Sequence, residues 1–540
     1  MRLQIIFICV LLLLAAGAAV AGRRDRNATH ESSFFVTSDR CIACHSTLKT
    51  AGGEDISIGY DWRSTMMANS GRDPYWHAAV RREVTDHPTA QAAIEDKCST
   101  CHMPMMRFDA AAAGGKGEVF ASIVPSAPAH REAFDSVSCT VCHQIEAANL
   151  GTHASLDGGF EIDKTTALGE RTIYGPSTID AGRQSVMRSA TQYVPGEGLH
   201  IQQSELCATC HTLYTSVLDE AGQTIGELPE QVPYQEWSHS EYSSTRSCQS
   251  CHMPVVGEET AMSSILGEPR THFSQHTFRG GNAFILGILN KYRGELGVVA
   301  LPQELDTAVR ETKDYLRTSA TVSIDSARVA GNVLDVAVAI RSLSGHKLPT
   351  AYPARRVWLH LTIKDASGAV IFESGAWRAN GSIVGNDNDA DGTKFEPHYT
   401  RITSPEQVQI YESVMVDPNG QVTTGLLRGM RYIKDNRLLP RGFDKTTADE
   451  EVAVHGAALG DDDFTGGGDR LSYRVDLGRR PSGPLNVEAD LVYQSIGFRW
   501  AENLKAYDTP ETNRFVRYYG ESVVDSVMPL ASAATTVPLQ

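Results

Sequence analysis

Five C-x-x-C-H motifs constrain this chain more than any other feature of its sequence. They are Cys41-Ile42-Ala43-Cys44-His45, Cys98-Ser99-Thr100-Cys101-His102, Cys139-Thr140-Val141-Cys142-His143, Cys207-Ala208-Thr209-Cys210-His211 and Cys248-Gln249-Ser250-Cys251-His252. Of the 11 cysteines in the chain, they leave out only Cys9. Two thiols three residues apart reach the two vinyl groups of one haem, and the next residue, His, then lies under the iron as proximal ligand. A disulfide framework has no reason to place His after every second Cys. Structural zinc would consume C-x-x-C units in pairs and leave a fifth over. The pattern therefore implies five c-type haems, attached through these ten thiols, with His45, His102, His143, His211 and His252 as proximal ligands.

So many haems in one segment supply much of its apolar core and must pack close together. Residues 22–300 are accordingly expected to form a haem domain of helical stretches, such as Trp76 to Val84, between long loops. Residues 301–318 read as a connecting helix opened by Pro302. From about Ser319 the hydrophobic period switches to two, at Ala320 to Ile324, Val333 to Ile340 and Val357 to Ile363. It recurs at Ala369 to Glu373, Leu471 to Val475 and Leu485 to Tyr493, so residues 319–540 are expected to be β-rich and sandwich-like. Arg401 to Asp469 is irregular, which argues against a simple immunoglobulin-like domain. The fold class expected is thus a mainly helical and irregular multihaem domain followed by a mainly-β domain.

The start of the chain reads as an export signal over residues 1–21. Arg2 provides a positive start, Ile5 to Ala16 an apolar run, and Ala19-Val20-Ala21 a small-residue cleavage pattern. No other long apolar run follows, so no transmembrane segment is expected after signal removal, and the protein is expected in the periplasm or at the cell surface. The formal net charge of −16 argues against a nucleic-acid partner, whose phosphates demand a basic surface. It suits encounters with basic patches on redox partner proteins, whose identity the sequence leaves open, as it does a homo-oligomer.

An electron carrier wants both axial positions of each iron filled, whereas an enzyme wants one left open. Candidates for the second position are His200, His276, His130, His77, His272 and His346, with Met66 or Met67 as thioether alternatives at the first haem. His276 precedes Gly280-Gly281, where close backbone approach is built in. His346 lies in the turn Gly345-His346-Lys347-Leu348-Pro349, from which it would reach a haem across a domain interface. His87, His153 and His239 read as surface or hydrogen-bonded histidines. Separately, Asp387, Asp389 and Asp391 repeat the start of a calcium loop, although His398 stands where an EF-hand needs Glu. Bound Ca²⁺ and a solvated acidic turn both remain open.

The stretches Cys98 to Pro104, Val137 to Ile145, Ser204 to Tyr214 and Cys248 to Pro254 resemble the multihaem cytochrome c superfamily. That group includes the tetrahaem cytochrome of nitrification, pentahaem nitrite reductase and hydroxylamine oxidoreductase. Gly345 to His360 and Asn386 to Tyr399 resemble the β-domain of an uncharacterised pentahaem branch. The resemblance implies stacked haems, bis-His ligation at most irons with His200 and His276 as distal ligands, and periplasmic electron transfer. No C-x-x-C-K motif of the nitrite reductase type is present. Electron transfer is therefore the expected function. The alternative is a multihaem oxidoreductase acting on a small nitrogen or sulfur species at one open haem, the first by preference. A third reading makes the β-domain a surface-binding module that delivers electrons to an extracellular acceptor.

Overall fold

The six period-two segments form strands β1 (Ala320–Ala330), β2 (Val333–Ser342), β3 (Arg356–Lys364), β4 (Val370–Ser374), β5 (Gly468–Asp476) and β6 (Leu485–Gln494), and a further strand that was not expected, β7 (Val527–Val537), joins them. The computed structural model describes residue 32 and residues 34–478 and 481–539, so the expected signal segment, Cys9 and His30 lie outside the described residues. Alternation does what the pleat requires. In β2, Leu334, Val336, Val338 and Ile340 are buried while Asp335 and Arg341 face water. One sheet runs in the order Arg401–Ile402, β5, β2, β1, and the other in the order β4, β3, β6, β7, with Ile410–Tyr411 added beside β3. Their inner faces share one core, Val336, Val338, Leu471 and Tyr473 meeting Leu359, Leu361, Val487 and Leu491.

β3 breaks the alternation, since almost every residue in it is buried. Its outer face carries Trp358, which packs with Ile383, Val408, Ile410 and Val492. Part of the irregular segment between β4 and β5 thus serves as a lid on the second sheet.

The motif-bearing region is built from short helices and loops. Four motifs end or form helices at Gln91–His102, Cys139–Cys142, Ser204–His211 and Cys248–His252, and the first begins inside the short helix Asp39–Ile42. Helix Pro74–Asp86 starts where Asp73 accepts from the backbone amides of Tyr75 and Trp76, with Pro74 in the first turn, where no amide donor is needed. The connecting helix is Pro302–Arg317, and the Glu304 carboxylate accepts from the Leu301 amide at 2.9 Å. A hairpin of Leu213–Leu218 with Thr224–Gln231 was not expected in this region.

Nor was helix Pro510–Ser522, late in the segment read as β-rich, which packs against Pro74–Asp86. Phe515 and Tyr518 share a core with Tyr75, Phe284, Ile285 and Leu305, and Arg81 pairs with Glu511 at 2.8 Å. The fold is therefore mixed helix and sheet, with the end of the chain returning to the motif-bearing region. Among the described residues no helix is long and apolar enough to cross a membrane.

Candidate haem-binding sites

A haem site of the kind the motifs imply needs two free thiols and a neutral imidazole with one nitrogen unengaged. None of the ten motif cysteines is disulfide-bonded. Four of the five motif histidines engage a backbone carbonyl through Nδ1. His45 meets Met262 at 2.6 Å, His102 meets Ser70 at 3.3 Å, His143 meets Tyr174 at 2.6 Å, and His252 meets Arg279. A ligating histidine typically ties its other ring nitrogen in this way, which fixes the tautomer and the ring orientation. Burial holds the imidazoles in the neutral form that carries a free lone pair. His102 and His252 are each lowered to about 4, and His45, His143 and His211 are also lowered.

Two motif histidines face a second imidazole. The rings of His143 and His276 are 6.3 Å apart and within 18° of parallel; those of His252 and His346 are 6.1 Å apart and within 9°. A metal–imidazole bond is about 2 Å, so two imidazoles on opposite sides of one metal have centroids about 6 Å apart. His276 and His346 also tie Nδ1 to backbone carbonyls, of Ser274 at 3.1 Å and Lys347 at 2.9 Å. Burial lowers His276 to about 3 and also lowers His346. The side chains present thus fit haem at these two motifs in thiols, tautomer and spacing.

His346 sits in a loop anchored by buried charge. Lys347 Nζ contacts Asp435 at 2.7 Å, and Arg437 contacts Asp435 at 2.7 Å and Glu236 at 2.8 Å. Glu236 also accepts from the Lys347 amide and the Thr350 hydroxyl, while Leu348 and Leu438 exchange backbone hydrogen bonds. Two cations balance two anions, which is what makes their burial tolerable.

The other candidates are differently placed. His77 has both ring nitrogens engaged, Nε2 by the Gly71 carbonyl at 3.0 Å and Nδ1 by Arg514 at 2.9 Å. His200 spends Nε2 on the Ile145 carbonyl at 2.7 Å, with Tyr174 against its ring. His130 holds Nδ1 on the Ser122 carbonyl and lies against Phe134. His272 is exposed and contacts the Thr271 hydroxyl. Met66 packs against the core of Tyr75 and Ile285, and Met67 starts the 3₁₀ helix Met67–Arg72. Gly281 does allow a close approach, but by Tyr493 of β6, whose hydroxyl donates to the Gly281 carbonyl at 2.8 Å.

The motifs also touch one another. The thiols of Cys41 and Cys139 lie close enough to shift one another's ionisation, as do those of Cys101 with Cys210 and of Cys207 with Cys248. Cys142 lies within electrostatic range of Cys207 and Cys210. Motif one therefore adjoins three, two adjoins four, four adjoins five, and three lies near four.

The expected calcium loop does not form. Asp389 is buried in a two-pronged pair with Arg356 at 2.8 and 3.0 Å and accepts from the Ile383 amide, while Asp391 folds onto Thr393. Asp387 and these two carboxylates do not converge, because the buried Arg356 has claimed the central one. Among the described residues, the cluster with metal-ligand spacing is His398, Asp461 and Asp469. Its hydrogen bonds argue against a metal. His398 Nδ1 accepts from the amides of Gln409 and Asn436, whose own oxygens are occupied by the backbone amides of Tyr399 and Glu412. Nε2 must then carry the proton, which it donates to Asp461 at 3.0 Å, leaving no lone pair for an ion.

No protein-family model matches the chain, and no curated protein does. Among solved structures it is similar to a penta-heme cytochrome c552 from Thermochromatium tepidum, at 16% identity and a TM-score of 0.54, over 94% of this chain and 100% of that one. The likeness is one of fold: this chain folds as that penta-heme cytochrome does.

Proposed function

We propose that the chain is an exported pentahaem c-type cytochrome that carries electrons through closely packed haems. The observation that carries this reading is the facing of His143 by His276 and of His252 by His346, each pair near-parallel at the separation one metal requires. Haem supplies reversible one-electron chemistry at its iron. Around it, the chain's own residues fix the ligand tautomers through backbone carbonyls, exclude water by burial and hold the rings still. Two nitrogen ligands on an iron leave little to rearrange when it changes charge. The thiol contacts between motifs support an array in which haem four adjoins two, three and five, and haem three adjoins one. The sheet region contributes His346 and covers the fifth site. The export signal and the acidic surface support a place outside the cytoplasm with basic redox partners.

A second reading, reduction or oxidation of a small nitrogen or sulfur species at an open haem, draws support from Arg355. Its guanidinium lies in electrostatic range of buried His211, which suits an anionic substrate at the fourth motif rather than at the first.

Purified holoprotein decides between them. Intact mass and pyridine haemochrome should give five haems per chain. Low-temperature EPR should then show the haems low-spin, with visible spectra indifferent to nitrite and hydroxylamine. A high-spin signal that shifts with either ligand overturns the carrier reading in favour of the second.

A further inference from the structure

The five proximal histidines are not held alike. His45 and His143 each donate from Nδ1 to a backbone carbonyl at 2.6 Å, and His252 does the same to Arg279. His102 holds the Ser70 carbonyl more loosely, at 3.3 Å. The ring of His211 makes no hydrogen bond among the described residues. A carbonyl that accepts from Nδ1 makes the opposite nitrogen a stronger electron donor, which favours ferric over ferrous iron and lowers the potential. On this ground the iron over His211 is the easiest of the five to reduce.

Charge acts in the same direction. Arg355 Nη1 donates to the Thr350 carbonyl at 3.1 Å, at the foot of the loop bearing His346. It also lies beside the loop after His276, where a methyl added to Gly281 would stand 3.7 Å from it. Among the described residues no carboxylate pairs with this guanidinium, whereas Lys347, Arg356, Lys434 and Arg437 each hold one. Arg355 is the charge that acts on the His211 ring. It also reaches His346, but there the Glu236 carboxylate exerts the larger effect, of opposite sign. Glu205 acts on the Cys207 thiol from the same helix and accepts from the Tyr234 hydroxyl at 3.1 Å. A fixed cation favours the ferrous state, since reduction removes one positive charge from the iron.

We propose that the haem at Cys207-Ala208-Thr209-Cys210-His211 has the highest potential of the five, held there by Arg355, so that electrons entering the array collect on this iron. This rests on the reading of the chain as a pentahaem carrier. One electron from a donor protein takes the iron from ferric to ferrous and passes on to an acceptor protein, with no bond made or broken. The fourth motif adjoins the second and fifth and lies near the third, so electrons reach it from three sides.

The test is a potentiometric titration of holoprotein, wild type, Arg355→Gln and Arg355→Lys, followed by EPR and visible spectra. In wild type the first electron should spare the rhombic low-spin signals that near-parallel imidazole pairs give, those of haems three and five. Arg355→Gln should lower the potential of the haem reduced first and leave the other four nearly in place, while Arg355→Lys should keep it. A merely structural arginine predicts a lower Tm with all five potentials unmoved, and that result overturns the proposal. Loss of a rhombic signal to the first electron overturns it as well, and this order of reduction decides alone should Arg355→Gln fail to fold. Fewer than five haems in wild type, by pyridine haemochrome, would instead count against the pentahaem reading itself, so the two failures are distinguishable.

Discussion

Lys347 and His87 are both buried polar side chains, one on each side of residue 319, and the fold treats them differently. The Lys347 ammonium meets Asp435 and the Ala453 carbonyl, inside a group of two cations and two anions. Buried Arg356 is matched by Asp389, and Lys434 by Glu412. His87 keeps an unpaired nitrogen, and so do Gln144, Asn149 and Gln249 keep unpaired amide oxygens in the motif-bearing region. Buried charge in the sheet region is balanced by protein groups alone. The motif region buries neutral imidazoles, and those of His45, His102, His143 and His252 each engage only one ring nitrogen. The sheet region leaves unpaired buried atoms too, at Asn386, Tyr473 and Ser495 among others, so the contrast lies in the paired charges of one region and the half-engaged imidazoles of the other.

The largest test of that contrast is to block haem attachment. Chain made without it should lose structure across residues 34–300 while the two sheets persist. Limited proteolysis would then cut the first region and spare β1 to β7, and equal resistance in both would break the comparison. Next comes Asp435→Asn, which leaves Lys347 and Arg437 with one anion between them. Breaking a buried pair from one side costs about 3–5 kcal/mol. Urea melts of the holoprotein should show that loss, and EPR should show the fifth haem disturbed with it.

A pH effect of smaller size separates the regions further. Burial pushes the Asp469 carboxyl up to about 7, with Asp461 and Asp463 adding repulsion. Its unfolded value is near 4, so the folded form binds the extra proton between those limits. The contribution to stability is full below about pH 4 and lost as pH rises through about 7, amounting to at most about 4 kcal/mol. Asp469→Asn should flatten this limb of the melting profile; an unchanged slope would assign it to other groups. The smallest effect is expected at Gly281→Ala. The added methyl would sit 2.7 Å from the Tyr493 hydroxyl, a crowding of about 1–3 kcal/mol that Tyr493→Phe should partly relieve.

Periodicity made the sheet region legible. Five of the six alternating segments lie within strands and the sixth, Ala369 to Glu373, overlaps β4 in all but its first residue, because a half-buried strand writes its register into the sequence. What escaped was non-local. Helix Pro510–Ser522 carries a Thr509 cap and Pro510 in its first turn, signals that were readable, but its partner Pro74–Asp86 lies more than four hundred positions away. At the sites, the thiols and proximal histidines stand in the motifs themselves, whereas second ligands carry no local signature. His77 looks well placed in sequence and is tied up at both nitrogens. The acidic repeat at Asp387 fails for a similar reason, since Arg356, which captures Asp389, is thirty-odd residues upstream.

The loop bearing His346 has a consequence for how such a protein is made. In a chain exported as proposed, Cys248 and Cys251 would enter the export compartment well before His346, and the anchoring residues Asp435 and Arg437 later still. Under the proposed ligation, the fifth iron therefore waits with an exposed coordination site until the sheet region has folded and delivered its imidazole. Completion of the last haem becomes a report that translocation has finished. A chain truncated before β1 would be recognisable by a fifth haem that binds carbon monoxide when reduced, where the full-length protein does not.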